Sequence, residues 1–187
     1  MLTGQKVLLR PLEEKDINKT LKWHNDMSIK FLTMSHPFPV TEELETDWIS
    51  KLLRSTDNKK VLFSIDCKES GEMVGYIFLH KFDYISRHCE WGGLIGNIQN
   101  QQKGYGSEAV MLILNYAFGN LNMNKVYAHV IANHHAMNKW LSIGAQIEGT
   151  LKGHYWHGDK YHDINLLAWY PNCREIIRVT DSSHAKG

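Results

Sequence analysis

The 187-residue sequence is short of several things that would place it quickly. Its three cysteines, Cys67, Cys89 and Cys173, are odd in number and show no Cys-x-x-Cys spacing. That excludes a disulfide framework, a zinc ribbon and a dithiol redox motif, and reduced thiols are expected. No apolar run approaches the ~20 residues of a membrane span, and no apolar signal-peptide core stands near the N-terminus, so a cytoplasmic chain without membrane contact is expected. Charge of neither sign is in excess. The formal net charge is +1 and no run of Lys or Arg gathers into a patch, so no nucleic-acid partner is indicated. Repeats, low-complexity blocks and linkers are also missing, which predicts a single domain over residues 1–187, with an ordered core of about 7–170 and a flexible tail at 180–187.

Histidine is plentiful, at eleven residues. His154, His157, His162 and Asp163 stand close together, but two strands joined by a turn at His157-Gly158-Asp159-Lys160 explain that segment better than a metal site, and no metal is expected. Periodicity predicts the other elements in turn. Val7 to Arg10 reads as a strand closed by Pro11, and Asp16 as the N-cap of a helix carrying Ile17 and Leu21. Thr41 lacks the acid or amide that a capping box needs three residues on. Even so, Glu42 and Glu43 in a first turn, with Leu44, Trp48 and Leu52 every fourth residue, predict a helix over 42–53. Strands follow at 61–66 and 73–79, then at 89–95, 126–131, 146–155 and 164–170. A short helix opens at Asn133 and stops at Gly144.

The densest signal is Gln101-Gln102-Lys103-Gly104-Tyr105-Gly106-Ser107, which runs into an amphipathic segment with Val110, Ile113, Leu114, Ala117 and Phe118 on one face. Two glycines one residue apart permit close backbone approach, and the unpaired first amides of the helix with its positive dipole end suit a phosphate or pyrophosphate. Lys103 adds a mobile positive charge. Spacing excludes a Walker loop. A dinucleotide fingerprint, Gly104-x-Gly106-x-x-Ala109, is formally present but lacks the answering acid near the next strand, 126–131.

The third pattern is Gln-x-x-Gly-x-Gly, at Gln101, Gly104 and Gly106. Here the chain resembles the GNAT superfamily of acyl-CoA N-acyltransferases, in which this loop holds the pyrophosphate of acetyl-CoA. The element order extends the resemblance over Val7 to Tyr170 and implies a mixed α/β (α+β) fold, a mostly antiparallel twisted sheet flanked by helices. Leu9-Arg10-Pro11-Leu12, Gly104-Tyr105-Gly106-Ser107-Glu108-Ala109 and Gly158-Asp159-Lys160-Tyr161-His162-Asp163 are similar to the bacterial group of ribosomal-protein alanine and serine N-acetyltransferases and spermidine N-acetyltransferases.

The resemblance implies an acetyl-CoA-dependent N-acetyltransferase acting on a primary amine, by direct attack in a ternary complex. The amine is a protein N-terminus or a small molecule such as a polyamine or amino sugar, and a catalytically silent acyl-CoA-binding module is the alternative. Gln101 to Ser107 and Asn133 would hold the coenzyme, and main-chain N–H groups at Leu94 and Ile95 would polarise the thioester. Glu90 is the candidate base, with a solvated or Arg87-paired carboxylate as the alternative. The segment between Glu90 and Gln101 is one residue longer than the family pattern, which suggests a bulge. Trp140 stands where many relatives carry the tyrosine that protonates the leaving thiolate, so Tyr155 is the substitute candidate, beside direct thiolate release. Trp23 and Asn25 from the first helix, within the segment running on to Phe38, and Asp163 from the last hairpin are candidate acceptor contacts, Asp163 with a structural role in competition. Oligomerisation stays open.

Overall fold

A computed structural model describes residues 1–54 and 59–173. The tail at 180–187 lies outside the described residues. Eight strands form one sheet: β1 (Leu2–Thr3), β2 (Val7–Pro11), β3 (Lys60–Cys67), β4 (Met73–Asp83), β5 (His88–Ile95), β6 (Lys125–Ile131), β7 (Gln146–His157) and β8 (Lys160–Trp169), in the order β1-β2-β3-β4-β5-β6-β8-β7. Each neighbouring pair is antiparallel except β5 and β6, which the crossover helix α4 (Tyr105–Gly119) joins in parallel.

Side-chain alternation divides the sheet into two faces. On one, Val7, Leu9, Ile77, Leu79, Val126, Ala128 and Leu167 bury against Ala109, Val110, Ile113 and Ala117 of α4, with Trp140 and Ile143 packed in from α5 (Met137–Ser142) and its C-terminus. On the other, Met73, Tyr76, Phe78 and Leu94 meet Trp23, Ile29 and Ile49 from α1 (Ile17–His24), α2 (Met27–Leu32) and α3 (Glu42–Arg54). The helix α2 is an addition to the sequence expectation. Its signal is the Asp26 cap, whose carboxylate accepts from Ser28 N at 2.9 Å, and it is too short to show a period.

The Arg10 of the Leu-Arg-Pro-Leu motif ties β2 to the start of α1. Its guanidinium donates to both oxygens of Asp16 (2.8 and 2.9 Å) and to Asp66 (2.6 Å). Burial works to raise the Asp16 pKa, but Arg10 and the Glu13 amide hold it below the ordinary carboxylate value. At the β7–β8 turn, Gly158 and Asp159 both have positive φ (58° and 67°), the geometry a two-residue hairpin requires. No helix among the described residues is long and apolar enough to cross a membrane.

Candidate active site

The parallel pairing of β5 with β6 is confined to three positions, His88↔Lys125, Cys89↔Val126 and Glu90↔Tyr127. Beyond Glu90 the strands separate. Trp91–Ile95 and Ala128–Val130 thus form the two sides of a wedge, which lies in a cleft of about 720 Å³. Gly96 N donates to Val74 O at 2.8 Å, so ladder alternation turns the amides of Leu94 and Gly92 to β4 and those of Gly93 and Ile95 into the wedge. Leu94 therefore reaches the cleft through its side chain, with its amide committed to the ladder. The free pair is Gly93 and Ile95. A β-carbon on Gly92 would stand 2.5 Å from the Phe78 ring, and one on Gly93 would stand 2.6 Å from Tyr76 O, which explains both glycines.

The glycine loop closes one end of the wedge. Gly104 is the α4 N-cap with φ 91°, Gln102 has φ 61°, and the first helical bond runs from Glu108 N to Gly104 O at 3.0 Å. The amides of Tyr105, Gly106 and Ser107 are left without an intrahelical acceptor. Gln101, Gln102, Lys103, Gly104, Gly106 and Ser107 line the cleft, and the Gln101 side chain reaches Ile95 O at 3.5 Å. Tyr105 presents only its amide to this end, since its ring is in the core. The expected bulge before Gln101 is instead a 3-10 turn over Ile98–Asn100, closed by Asn100 N on Asn97 O. Two lysines that sequence spacing did not single out join the lining, Lys6 and Lys139. Lys6 Nζ donates to Lys103 O at 3.0 Å. Glu108 holds this approach by accepting from the amides of Gln5, Lys6 and Val7 at 2.6–2.9 Å.

Glu90 sits at the vertex. It is buried, and its partners are not Arg87, which turns towards Asn122 at 3.4 Å. Oε1 lies 2.8 Å from His129 Nδ1, Oε2 lies 2.7 Å from Lys81 Nζ, and His80 Nε2 is 3.7 Å away. Burial would raise the carboxyl pKa, yet the Lys81 and His129 hydrogen bonds hold it below the usual range. Burial also lowers the His80 pKa, leaving a neutral ring near neutral pH. His80 and Lys81 are consecutive, and both reach Glu90 because the β4–β5 register shifts between His80 and Asp83, with Lys81 at φ 51°. The sequence signal for this cluster was weak: four polar residues on three strands.

Five expected contacts fall outside the cleft. Trp23 is core, with its indole 1.8 Å from where a β-carbon on Gly96 would stand. Asn25 clasps the chain after α2, giving Nδ2 to Val40 O (2.8 Å) and taking Val40 N (2.9 Å). Asp163 accepts from Gly153 N (2.9 Å) and Lys152 (2.8 Å), the structural role weighed against acceptor binding. Tyr155 stacks near Phe31 at 6.3 Å, and burial raises its pKa, so it is both displaced and a weaker acid. Asn133 is exposed in a turn three residues before Ala136, the α5 cap; His134 and His135 line the cleft beside it. Trp140 is buried edge-on against Trp91 at 5.8 Å, with His134 over it at 4.6 Å. The opposite wall comes from Ile29 and Leu32 of α2 and from Thr33, Met34 and Ser35 after it.

A wedge opened between two parallel strands, with a glycine-started helix at its end, has a counterpart among known families: residues 6–142 match the acetyltransferase (GNAT) domain. The chain belongs to that family. It is an acyltransferase that moves an acetyl group to an amine. The spermidine N(1)-acetyltransferase of Escherichia coli (strain K12) is 26% identical over 164 residues, covering 87% of this chain and 85% of that one. The uncharacterized N-acetyltransferase YnaD of Bacillus subtilis (strain 168) is 27% identical over 177 residues, covering 90% and 98%. Among solved structures, spermidine N-acetyltransferase from Vibrio cholerae in complex with CoA and spermine shares the GNAT fold, with a TM-score of 0.82 at 23% identity over 90% of this chain and 98% of that one.

Proposed function

We propose that the chain binds acetyl-CoA in the β5–β6 wedge and transfers the acetyl group directly to a primary amine that enters from the α1–α3 face. The observation carrying this is the wedge itself. It joins an anion-binding end, at the α4 N-terminus, to main-chain donors at Gly93 and Ile95. The pyrophosphate rests on the loop amides between Gln102 and Ser107, with Lys103 and Lys6 beside it. The pantetheine arm runs along the free edge of β5, and an amide of the Gly93–Ile95 segment supports the oxyanion of the tetrahedral intermediate. Neither Trp140, an indole, nor the distant Tyr155 supplies an acid. The CoA thiolate, whose parent thiol has a pKa of ~8.5, leaves without one.

The acceptor is a monoamine or a peptide N-terminus. Glu90 is the one carboxylate among the described residues lining the cleft, and it is already bonded to Lys81 and His129. A polycation would find no unpaired negative charge there. A polyamine acceptor is the second reading, favoured by the similarity to the spermidine enzymes. Mass spectrometry of N-terminal peptides, monoamines, amino sugars and spermidine incubated with protein and acetyl-CoA separates them. An acetylated peptide or monoamine is the expected product. Preferential acetylation of spermidine reverses the acceptor assignment, and acetyl-CoA binding with no acetylated product identifies a silent module.

A further inference from the structure

We propose that His129 is the general base of the transfer and that Glu90 and Lys81 are its positioning residues; the proposal rests on the transferase reading above. Glu90 is poorly suited to take the proton itself. Oε1 is hydrogen-bonded to His129 and Oε2 is ion-paired with Lys81, and a carboxylate held below its ordinary pKa has little affinity for a proton. The same two contacts define the state of His129. An ionised Oε1 at 2.8 Å accepts from Nδ1–H, which fixes the tautomer and leaves the lone pair on Nε2. Among the described residues Nε2 has no hydrogen-bond partner, and His129 lines the cleft.

The register puts that lone pair at the reacting end of the wedge. Glu90 pairs with Tyr127, so His129, two residues on, stands level with Gly92, across the gap from the glycine pair whose amide at Gly93 faces inward. On the acceptor face the place of a Gly92 side chain is taken by the Phe78 ring, which lines the cleft with His129. The groups facing His129 from the packed strands are His80 and Lys81 from β4, Glu90 and, beyond Tyr127, His88 from β5, Tyr127 on its own strand, and Lys60 beyond His80 on β3. On this face β8 presents Ile164, Leu166 and Ala168 beside His129, and its next residue on that side, His162, packs against Phe31. His80 is the weaker candidate, being 3.7 Å from Glu90 and lacking a carboxylate to orient it. The bulge at His80–Asp83 has a purpose on this account. Holding Lys81 at a φ of 51° sets an ammonium on the far oxygen of Glu90, which locks the carboxylate that locks the ring.

The proton balance is simple. The ammonium of the acceptor gives one proton to His129 Nε2, and its lone pair forms the N–C bond while the carbonyl π pair moves to oxygen. Collapse of the oxyanion breaks C–S, and the bonding pair leaves on sulfur. The second nitrogen proton passes to the thiolate through water, and His129 returns its own proton to solvent.

The test compares the full-length protein with His129→Asn and Glu90→Gln, using the amine acceptor found above, across pH. His129→Asn is expected to lower kcat/KM for the amine by about 100-fold with acetyl-CoA affinity unchanged, a loss that shrinks at alkaline pH, where the amine is already neutral. Glu90→Gln is expected to lower the plateau and move its acidic limb to lower pH, because a lost carboxylate destabilises the imidazolium. Nitrogen NMR of the wild-type histidines is expected to show His129 protonated on Nδ1, with the lone pair on Nε2. A His129→Asn activity within about threefold of wild type, or a ring protonated on Nε2, overturns the base assignment alone. A wild-type protein that binds acetyl-CoA and acetylates no amine overturns the transferase reading and the proposal together.

Discussion

Two histidines in this molecule have the same first partner and opposite surroundings. His24 Nδ1 lies 2.7 Å from Glu45 Oε2 and His129 Nδ1 lies 2.8 Å from Glu90 Oε1, so in both the carboxylate selects the tautomer. They differ at the other nitrogen. His24 Nε2 is capped by the Tyr76 hydroxyl at 2.8 Å, with Trp48 edge-on at 5.2 Å, and Glu45 is 1% exposed. Burial and the Glu45 charge also push the Tyr76 pKa up, and both ring nitrogens of His24 are taken. The His129 pair opens on the cleft and carries Lys81 on its outer oxygen. An imidazole–carboxylate pair becomes a scaffold or a reagent according to what its second nitrogen meets.

Breaking the closed pair should have the largest effect on stability. His24→Ala strands the Glu45 carboxylate in the core, and an expected cost of about 3 kcal/mol or more should lower Tm by on the order of 10 °C. The acidic limb of the rate profile should stay in place. Calorimetry and a pH–rate series measure both, and a shifted limb would show that the pairs are coupled through Tyr76.

Lys81→Met tests the open pair. With Lys81 largely exposed, stability should change by less than about 1 kcal/mol. The rate should fall by about tenfold as Glu90 loses its outer restraint, and the acidic limb should move up, opposite to Glu90→Gln, because a nearby cation that disfavours imidazolium has gone. Denaturant titration with steady-state kinetics reads the two quantities separately. An unmoved limb removes Lys81 from the account.

The smallest expected effect is in acid. The folded Glu90 carboxyl titrates below its ordinary value, so its pairing contributes stability that is fully present above a pH of about 4.3 and is lost as pH falls through the folded pKa. The stability difference between wild type and Glu90→Gln should therefore narrow below about pH 4. A constant gap down to pH 2.5 in urea melts would contradict a paired, ionised Glu90. Asp16, depressed by Arg10, adds to the same acid loss in both proteins.

Much of the architecture was legible because it depends on short-range chemistry. The run from Val110 to Phe118 carries its period, the Gly158-Asp159 turn carries its positive φ, and Gly104 marks the start of α4 by the same freedom. The loop end of the cleft was legible for that reason, since its lining residues are consecutive. The acceptor half was not. Trp23 and Asn25 sit on the expected element but point into the core and at Val40, and Tyr155 and Asp163 are spent on the β7–β8 hairpin. The α2 wall lacked a long enough period to be read.

The sequence alone determined most of the strands, the longer helices α3 and α4, the β7–β8 turn, and that a helix N-terminus behind two glycines offers free amides. Only the tertiary structure decided that β5 and β6 part at Glu90, that Gly93 and Ile95 rather than Leu94 face the gap, and that His80, Lys81 and His129 converge on one carboxylate. The reason is physical. Local structure is set by each residue's own dihedrals and near neighbours, whereas strand register and the side a chain presents are fixed by partners far along the chain, through burial that no short window contains.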